Sequence, residues 1–509
     1  MNYSVTGAQM KRIDSYTIQG IGIPSLVLME RAALLVAAEI EADAGKQDYI
    51  VCVCGGGNNG ADGVAVGRIL HGRGYHVQII LAGAAQDRTE ELQQQIAIAG
   101  QMEVPMAAYT DDRTAIANAR FIVDALFGIG LSRAVTGIWA DLIGSINANS
   151  LARVYAVDIP SGIHADTGAV LDTAVQADVT VTFGYIKTGQ LLYPGRFHCG
   201  KISVGDIGCP PGALARAGYD TLYYDRQDLA GIPDRPPYSN KGTFGKVLIV
   251  AGSEGMSGAA YFSALAAYRT GAGLVKILTA GGNREILQTQ LPEAVIEVYP
   301  ADARTDLEGF LEEQCRWATV IVLGPGLGTG EDVETLVSGI LTHAYVPIVL
   351  DADGLNAVAR YPYLTGYFTE NIIVTPHVGE MSRLTGKRVS DIAANLLGTA
   401  RDYARLHGIT CVLKDAVTVV AGREGESYLN RSGNSAMAKG GSGDVLTGVI
   451  AGLLALGMDE GEAARLGVYI HGLAGEEAAR MKGIHGVIAG DLIACIPGRM
   501  EVSVNHEAI

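Results

Sequence analysis

Short apolar runs alternate along the whole chain with longer stretches whose apolar residues recur at helical spacing. In the first half the runs are YIVCVC (49–54), HVQIILA (76–82), FIVDALFG (121–128), RVYAVDIP (153–160) and VTVTFG (179–184). Several lack a two-residue alternation, which is the mark of strands buried on both faces of a parallel sheet. SLVLMERAALLVAAEIEA (25–42) reads as a long helix ahead of the first of them. Cys52 and Cys54, two apart in one strand, should face the same side of the sheet.

The pattern breaks at DTLYYDRQDLAGIPDRPPYSNKGTFG (220–245), where prolines, charge and polarity separate two apolar regions. It then restarts with KVLIVAG (246–252), the helix-like AAYFSALAAYRTGAG (259–273), LVKILTA (274–280), ATVIVLGPGLG (318–328), PIVLDADGLN (347–356), NIIVTPH (371–377) and ITCVLKDAVTVVA (409–421). Two doubly wound α/β domains are therefore expected, 1–222 and 240–509 with a linker over 223–239, the first a Rossmann-like three-layer domain.

Composition narrows the function. The 509 residues are too many for one ordinary core. Glycine, at 67 residues, is roughly twice its usual share, which suits tight turns and close helix–sheet packing. A net charge of −16 argues against general nucleic-acid or membrane-surface binding, although backbone amides can still bind a phosphate. The seven cysteines form no CxxC or metal-like cluster and read as reduced thiols. The opening MNYSVTGAQMKRID has no signal-peptide core, and the longest apolar stretches are too short and glycine-broken to span a bilayer. A cytoplasmic protein, assembled as a homo-oligomer, is expected.

Open parallel sheets bind ligands at the carboxyl ends of their strands. Three such ends in the first half concentrate polar groups: GGGNNGADG (55–63), DALFGIGLSRAVTG (124–137) and VDIPSGIHADTG (157–168). Successive amides in a glycine-rich loop make an anion-binding nest, and the following helix adds its positive end. Asn59, Asp124 and Ser161 offer oxygen without sulfur or imidazole, so a metal held by them should be a hard cation. GGGNNGADG is not the GxGxxG dinucleotide fingerprint, which makes an ordinary redox role a poor fit. Singly, each loop reads equally well as a tight turn or a helix cap; three on one sheet edge favour a site.

These three loops, in this order, closely resemble the signature loops of the NAD(P)H-hydrate epimerase family over roughly residues 1–220, with Ala61 where the family usually has glycine. The resemblance implies a substrate whose reduced nicotinamide ring has taken up water at C6. It would be held by Asn58, Asn59, Gly60, Ala61, Asp62, then Gly128, Ile129, Gly130, Leu131, Ser132, Arg133 and Ala134, with Asp158 at the reacting ring. It also implies a potassium ion on Asn59, Asp124 and Ser161.

The strongest single signal in the second half is NSAMAKGGSGDVLTGVIAGLLALG (434–457), a glycine loop opening an apolar helix. Amides of Gly441, Ser442 and Gly443 can face a developing negative charge, and Asp444 in the first turn can take a proton from an attacking hydroxyl. The bland reading is an aspartate capping a helix after a glycine turn. Four neighbouring strand ends, GPGLG (324–328), LDADGLN (350–356), VTPHVGE (374–380) and VLKDAVTVVA (412–421), also carry polar groups. His377 follows a proline and should be presented at a loop; Lys414 could meet a phosphate.

With NKGTFGKVLIVAGSEGMSGAA (240–260), this set closely resembles the ADP- or ATP-dependent NAD(P)H-hydrate dehydratase family over about 225–500, departing from it at Lys439 and Ser442, where the family has threonine. The resemblance implies a ribokinase-like fold. It puts Ala259, Gly326, His377 and Asp444 on the hydrated cofactor, and Lys414, Asp415, Ala416, Val417, Thr418 and Gly443 on the nucleotide. Mg²⁺ would accompany ADP or ATP. The combined expectation is a repair enzyme that epimerises NADHX and NADPHX and dehydrates the S form, with Asp158 and Asp444 as the catalytic groups. Two other readings fit the residues: a kinase of a small alcohol in the second half, and a non-catalytic nucleotide- or partner-binding module in the first.

Overall fold

The structure, a computed structural model, describes residues 1–110, 112–299, 307–330 and 332–501. The chain divides into two compact units, Tyr3–Thr221 and Leu222 onward, the latter taking Met1–Asn2 with it.

In the first unit the sheet order is Met106–Ala108, His76–Leu81, Tyr49–Cys54, Phe121–Ala125, Arg153–Val157, Val179–Phe183 and Lys201–Gly205. Every pairing is parallel. The strand order reverses between Tyr49–Cys54 and Phe121–Ala125, so the crevice where ligands bind opens beyond Cys54 and Ala125. Cys52 and Cys54 lie on one face, in the apolar cluster shared with helices Ser25–Glu41 and Asn58–Gly72, while Val51 and Val53 enter the cluster on the other face.

Glycine decides how closely the helix Asn58–Gly72 approaches the sheet. A Cβ on Gly63 would stand 2.4 Å from Ala125 Cβ, and one on Gly60 would stand 1.9 Å from the Gly55 carbonyl oxygen. Ala61, by contrast, is buried in the core cluster, where its methyl is part of the helix–sheet packing.

The second unit has the sheet order Val295–Val298, Leu274–Thr279, Lys246–Val250, Val320–Leu323, Ile348–Leu350, Ile372–Val374, Thr410–Leu413, Val419–Ala421 and Ser427–Leu429. Its switch point falls between Lys246–Val250 and Val320–Leu323. The run 409–421, one apolar stretch in the sequence, folds back on itself as an antiparallel pair, Leu413 opposite Val419. Residues 223–239, expected as a linker, are partly built into this unit: Tyr224 is buried, its ring 4.8 Å from that of Tyr428, and Leu229 is buried too. Among the described residues no helix is long and apolar enough to cross a membrane.

Helix Ser442–Ala455 is almost wholly buried and packs on Ser257–Thr270. Gly448 permits that contact, since its Cβ would lie 2.2 Å from the Ser263 carbonyl oxygen; Gly452 faces Thr270 in the same way. Gly448→Ala should therefore force the helices apart and destabilise the C-terminal unit by about 1–3 kcal/mol. Calorimetry should show the melting transition of that unit falling while the N-terminal one stays.

Candidate functional site

A cleft of about 830 Å³ lies at the switch point of the N-terminal sheet. Its wall includes Asn58, Asn59, Asp62, the loop Gly128–Arg133, Asp158 and Lys187, together with Met10, Asp14 and Ile18 from the first helical segment. Gly60, Ala61 and Ala134 stand off the wall: the first two are buried in helix Asn58–Gly72, and Ala134 is exposed.

Asp158 directly follows strand Arg153–Val157 and adopts φ +66°, a left-handed conformation that is uncommon outside glycine and costs on the order of 1–3 kcal/mol. Its neighbours hold it there. Its N–H donates to the Val181 carbonyl at 2.8 Å, and Gln190 Nε2 donates to its carbonyl at 2.7 Å. The carboxylate accepts from Thr182 Oγ1 at 3.1 Å, from the Phe183 amide at 3.2 Å and from Lys187 Nζ. Lys187 is fully buried and also donates to Thr182 Oγ1 and the Phe183 carbonyl. All three ammonium donors are thus aimed, which locks the carboxylate in one orientation.

Beneath the cleft, Asp124 and Ser161 are fully buried and bonded to each other. The Ser161 amide donates to Asp124 Oδ2 at 2.8 Å, and its hydroxyl to Oδ1 at 2.6 Å. Burial pushes the Asp124 carboxyl up to about 6, against these hydrogen bonds and one from the Leu126 amide. Asn59, at the cleft, has a buried amide nitrogen with no partner among the described residues, next to Gly128.

In the C-terminal unit the polar strand ends converge on Lys414. Its Nζ donates to buried Asp351 at 2.8 Å, and Asp351 accepts from Thr447 Oγ1 at 2.7 Å. Burial alone would lower the Lys414 pKa, yet it is raised, because Asp351, Glu380 and Asp444 surround the ammonium. Nζ lies 3.5 Å from where a Cβ on Gly443 would stand, so glycine at the helix start lets the cation reach the loop. Gly441, at φ +88°, turns the chain into helix Ser442–Ala455. Asp444, in the first turn, has a carboxyl lifted to about 7, chiefly by burial and then by Asp351, with Lys414 opposing.

His377 pairs in a bridge with Lys414 and caps helix Val378–Thr385. Its Nδ1 accepts from the Gly379 and Glu380 amides, and Glu380 returns a carboxylate to the His377 N–H at 2.7 Å. The ring is exposed. Gly326 has φ +62° and abuts Ala259, whose methyl would be 2.9 Å from a Cβ placed there. Beyond Lys414, Asp415 and Ala416 are exposed, Val417 is buried with only its backbone to offer, and Thr418 is half-buried. Lys439 turns away, donating to the His485 carbonyl at 3.3 Å.

Sequence reasoning missed Lys187, Asp14, Asp351, Glu380 and Thr447 as individual residues. The last three lie in stretches already marked as polar; a lysine inside FGYIKTG (183–189), flanked by apolar strand residues, was the available signal for Lys187.

Residues 25–189 match the family described as YjeF-related protein N-terminus, and residues 247–498 the family described as NAD(P)H-hydrate dehydratase. The chain is similar over nearly its whole length to the bifunctional NAD(P)H-hydrate repair enzyme Nnr of Moorella thermoacetica, at 38% identity covering 97% of this chain and 96% of that protein. The Nnr of Escherichia coli is 32% identical, covering 95% and 90% respectively. Among solved structures, the ADP/ATP-dependent NAD(P)H-hydrate dehydratase from Bacillus subtilis, co-crystallised with ATP/Mg²⁺, is 32% identical over 55% of this chain and 98% of its own, with a TM-score of 0.49. With both halves matched in order and the full-length relatives at this identity, the chain belongs to the family of bifunctional NAD(P)H-hydrate repair enzymes.

Proposed function

We propose that the N-terminal unit interconverts the R and S forms of C6-hydrated NAD(P)H, and that the C-terminal unit dehydrates the S form at the expense of ADP or ATP. The observation that carries this reading is shared by both units. At the carboxyl end of each sheet, a carboxylate group stands with a lysine, buried in one unit and half-buried in the other, beside a glycine-opened helix.

In the first unit the ring nitrogen can help expel the C6 hydroxyl, and water can return on the other face. Asp158, oriented by Lys187, is suited to exchange a proton with the oxygen on the ring face that it meets. The pyrophosphate would lie between the N-terminal turn of helix Asn58–Gly72 and the loop Gly128–Arg133. Asn59, Asp124 and Ser161 would hold potassium. The fit rests on a buried carboxylate that accepts hydrogen bonds only from neutral groups; an oxygen-ligated monovalent cation would compensate that carboxylate.

In the second unit Asp444 would take the proton of the C6 hydroxyl as that oxygen attacks the terminal phosphorus, whose bond to the bridging oxygen breaks so that the nucleotide leaves one phosphate shorter. Hydroxide is a poor leaving group, whereas the phosphorylated oxygen leaves readily as phosphate, and loss of a proton from C5 then forms the C5=C6 bond and restores the dihydropyridine. The amides at Gly441–Gly443 and the Lys414 ammonium would face the charge that develops. Mg²⁺, when bound, neutralises phosphate charge. Among the described residues no group of three His, Cys, Asp or Glu gathers to hold a metal, so the ion would be carried largely by the nucleotide phosphates and water.

A mixture of both hydrate epimers with nucleotide tests the division of labour through the return of dihydronicotinamide absorbance. Wild type should run to completion. Asp158→Asn should slow epimerisation about 10²–10⁴-fold and stall recovery partway, while Asp444→Ala should abolish recovery and leave epimer exchange intact. Loss of both activities in either folded variant would refute separate sites. Because Asp444 must be ionised to accept a proton and titrates at about 7, the dehydration rate should fall as pH drops below that value, measured at saturating nucleotide. Potassium should raise the melting temperature of the N-terminal unit, by about 1.4 kcal/mol of stability at ten times its Kd. Asp124→Asn should erase that dependence in a thermal-shift titration.

A further inference from the structure

Epimerisation at C6 has a requirement that one carboxylate does not meet. When the hydroxyl leaves, the C6–O bond breaks, the oxygen takes a proton to depart as water, and the ring nitrogen lone pair forms the N1=C6 iminium. Water then adds on the opposite face. A C6–O bond forms, the iminium electrons return to nitrogen, and the added water loses a proton. The proton donor and the proton acceptor therefore serve opposite faces, and they exchange roles in the reverse reaction.

The cleft holds a second carboxyl group in the right setting. Asp14 reaches it from helix Gly7–Ser15, accompanied by Met10 and Ile18, whereas Asp158 reaches it from the sheet edge. Asp158 is tied to Lys187, Thr182 and the Phe183 amide. The Asp14 carboxyl makes no hydrogen bond or ion pair with any described residue. Its carboxyl is free to turn to a ligand. Asp62 also lines the cleft, but it lies in the first turns of helix Asn58–Gly72, whose start is proposed to hold the pyrophosphate.

We infer that Asp14 is a second catalytic acid–base group of the epimerase site, serving the ring face that Asp158 does not. This rests on the epimerase reading above and deepens it. The two groups differ in their surroundings, Asp158 bonded to an ammonium and Asp14 not. Burial lifts the Asp14 carboxyl to about 6, with Lys187 opposing and Asp158 reinforcing, so a fraction is protonated near neutral pH while Asp158 keeps its ammonium partner. Paired carboxyl groups in unequal surroundings can act as acid and base in one turnover. The titratable and charged groups around Asp14 are Lys187, Asp158, Asp62 and the Cys209 thiol.

The full-length enzyme tests this with the separated R epimer as substrate and chromatographic detection of the S epimer. Asp14→Asn should lower the epimerisation kcat about 100-fold or more, change KM by less than about threefold and leave dehydration of the S form at the wild-type rate. Asp14→Glu should recover part of the loss. The wild-type kcat should be bell-shaped in pH, as a coupled acid–base pair requires, and Asp14→Asn should remove one limb. An Asp14→Asn enzyme with wild-type kcat, or with a raised KM alone, overturns the inference. Should that variant fail to fold, a wild-type profile with a single limb overturns it equally. If wild type itself does not exchange epimers, the epimerase reading falls instead, which keeps the two failures distinct.

Discussion

An ammonium group without access to water needs a carboxylate, and a carboxylate held by such a group cannot wander. Lys187 is completely buried and spends its donors on Asp158, Thr182 and the Phe183 carbonyl. Breaking such a pair by removing one partner leaves a buried charge uncompensated. The left-handed backbone at Asp158, the Gln190 contact to its carbonyl and the shape of the cleft floor are all organised around this pair. The C-terminal unit meets the same constraint differently. There Lys414 is bonded to Asp351, and Asp444 shares the field without a direct bond. One arrangement fixes a carboxylate by contact; the other sets its proton affinity from nearby.

Much of the fold was legible in the sequence because it depends on repeated local signals. The runs at 49–54, 76–82, 121–128, 153–160 and 179–184 became five adjacent parallel strands, and the helix expected at 25–42 spans Ser25–Glu41. The outer strands Met106–Ala108, Lys201–Gly205 and Val295–Val298 were not legible. Edge strands are short and partly polar, since one side faces no neighbour. The fold of 409–421 into a hairpin was hidden for a related reason: Lys414, Asp415 and Ala416 form the turn, but the apolar residues flanking them read as one strand.

The site was legible where it is made of backbone. Glycine loops announce themselves, and Asn59, Asp158 and the loop at Gly128–Arg133 do line one cleft, while Asp444 and Lys414 lie together in the other unit. Charged side chains carried on ordinary elements were silent. Asp14 sits on a helix whose polar face looks like any solvated one, and only the docking of that helix beside Lys187 gives it a role. Glu380 was visible only as part of a polar strand end, yet its burial against His377 and Lys414 depends on three separate elements.

The glycine-mediated approach of helix Asn58–Gly72 has a chemical corollary. It clamps Cys52 and Cys54 beneath Gly67 and Gly63, and burial drives the Cys52 thiol to about 12 and that of Cys54 well above its ordinary value. At neutral pH almost none of either exists as thiolate, the form that oxidants and electrophiles attack. Burial beneath the helix thereby keeps both thiols in the unreactive protonated form, so oxidants that act on thiolates should leave this part of the helix–sheet packing untouched.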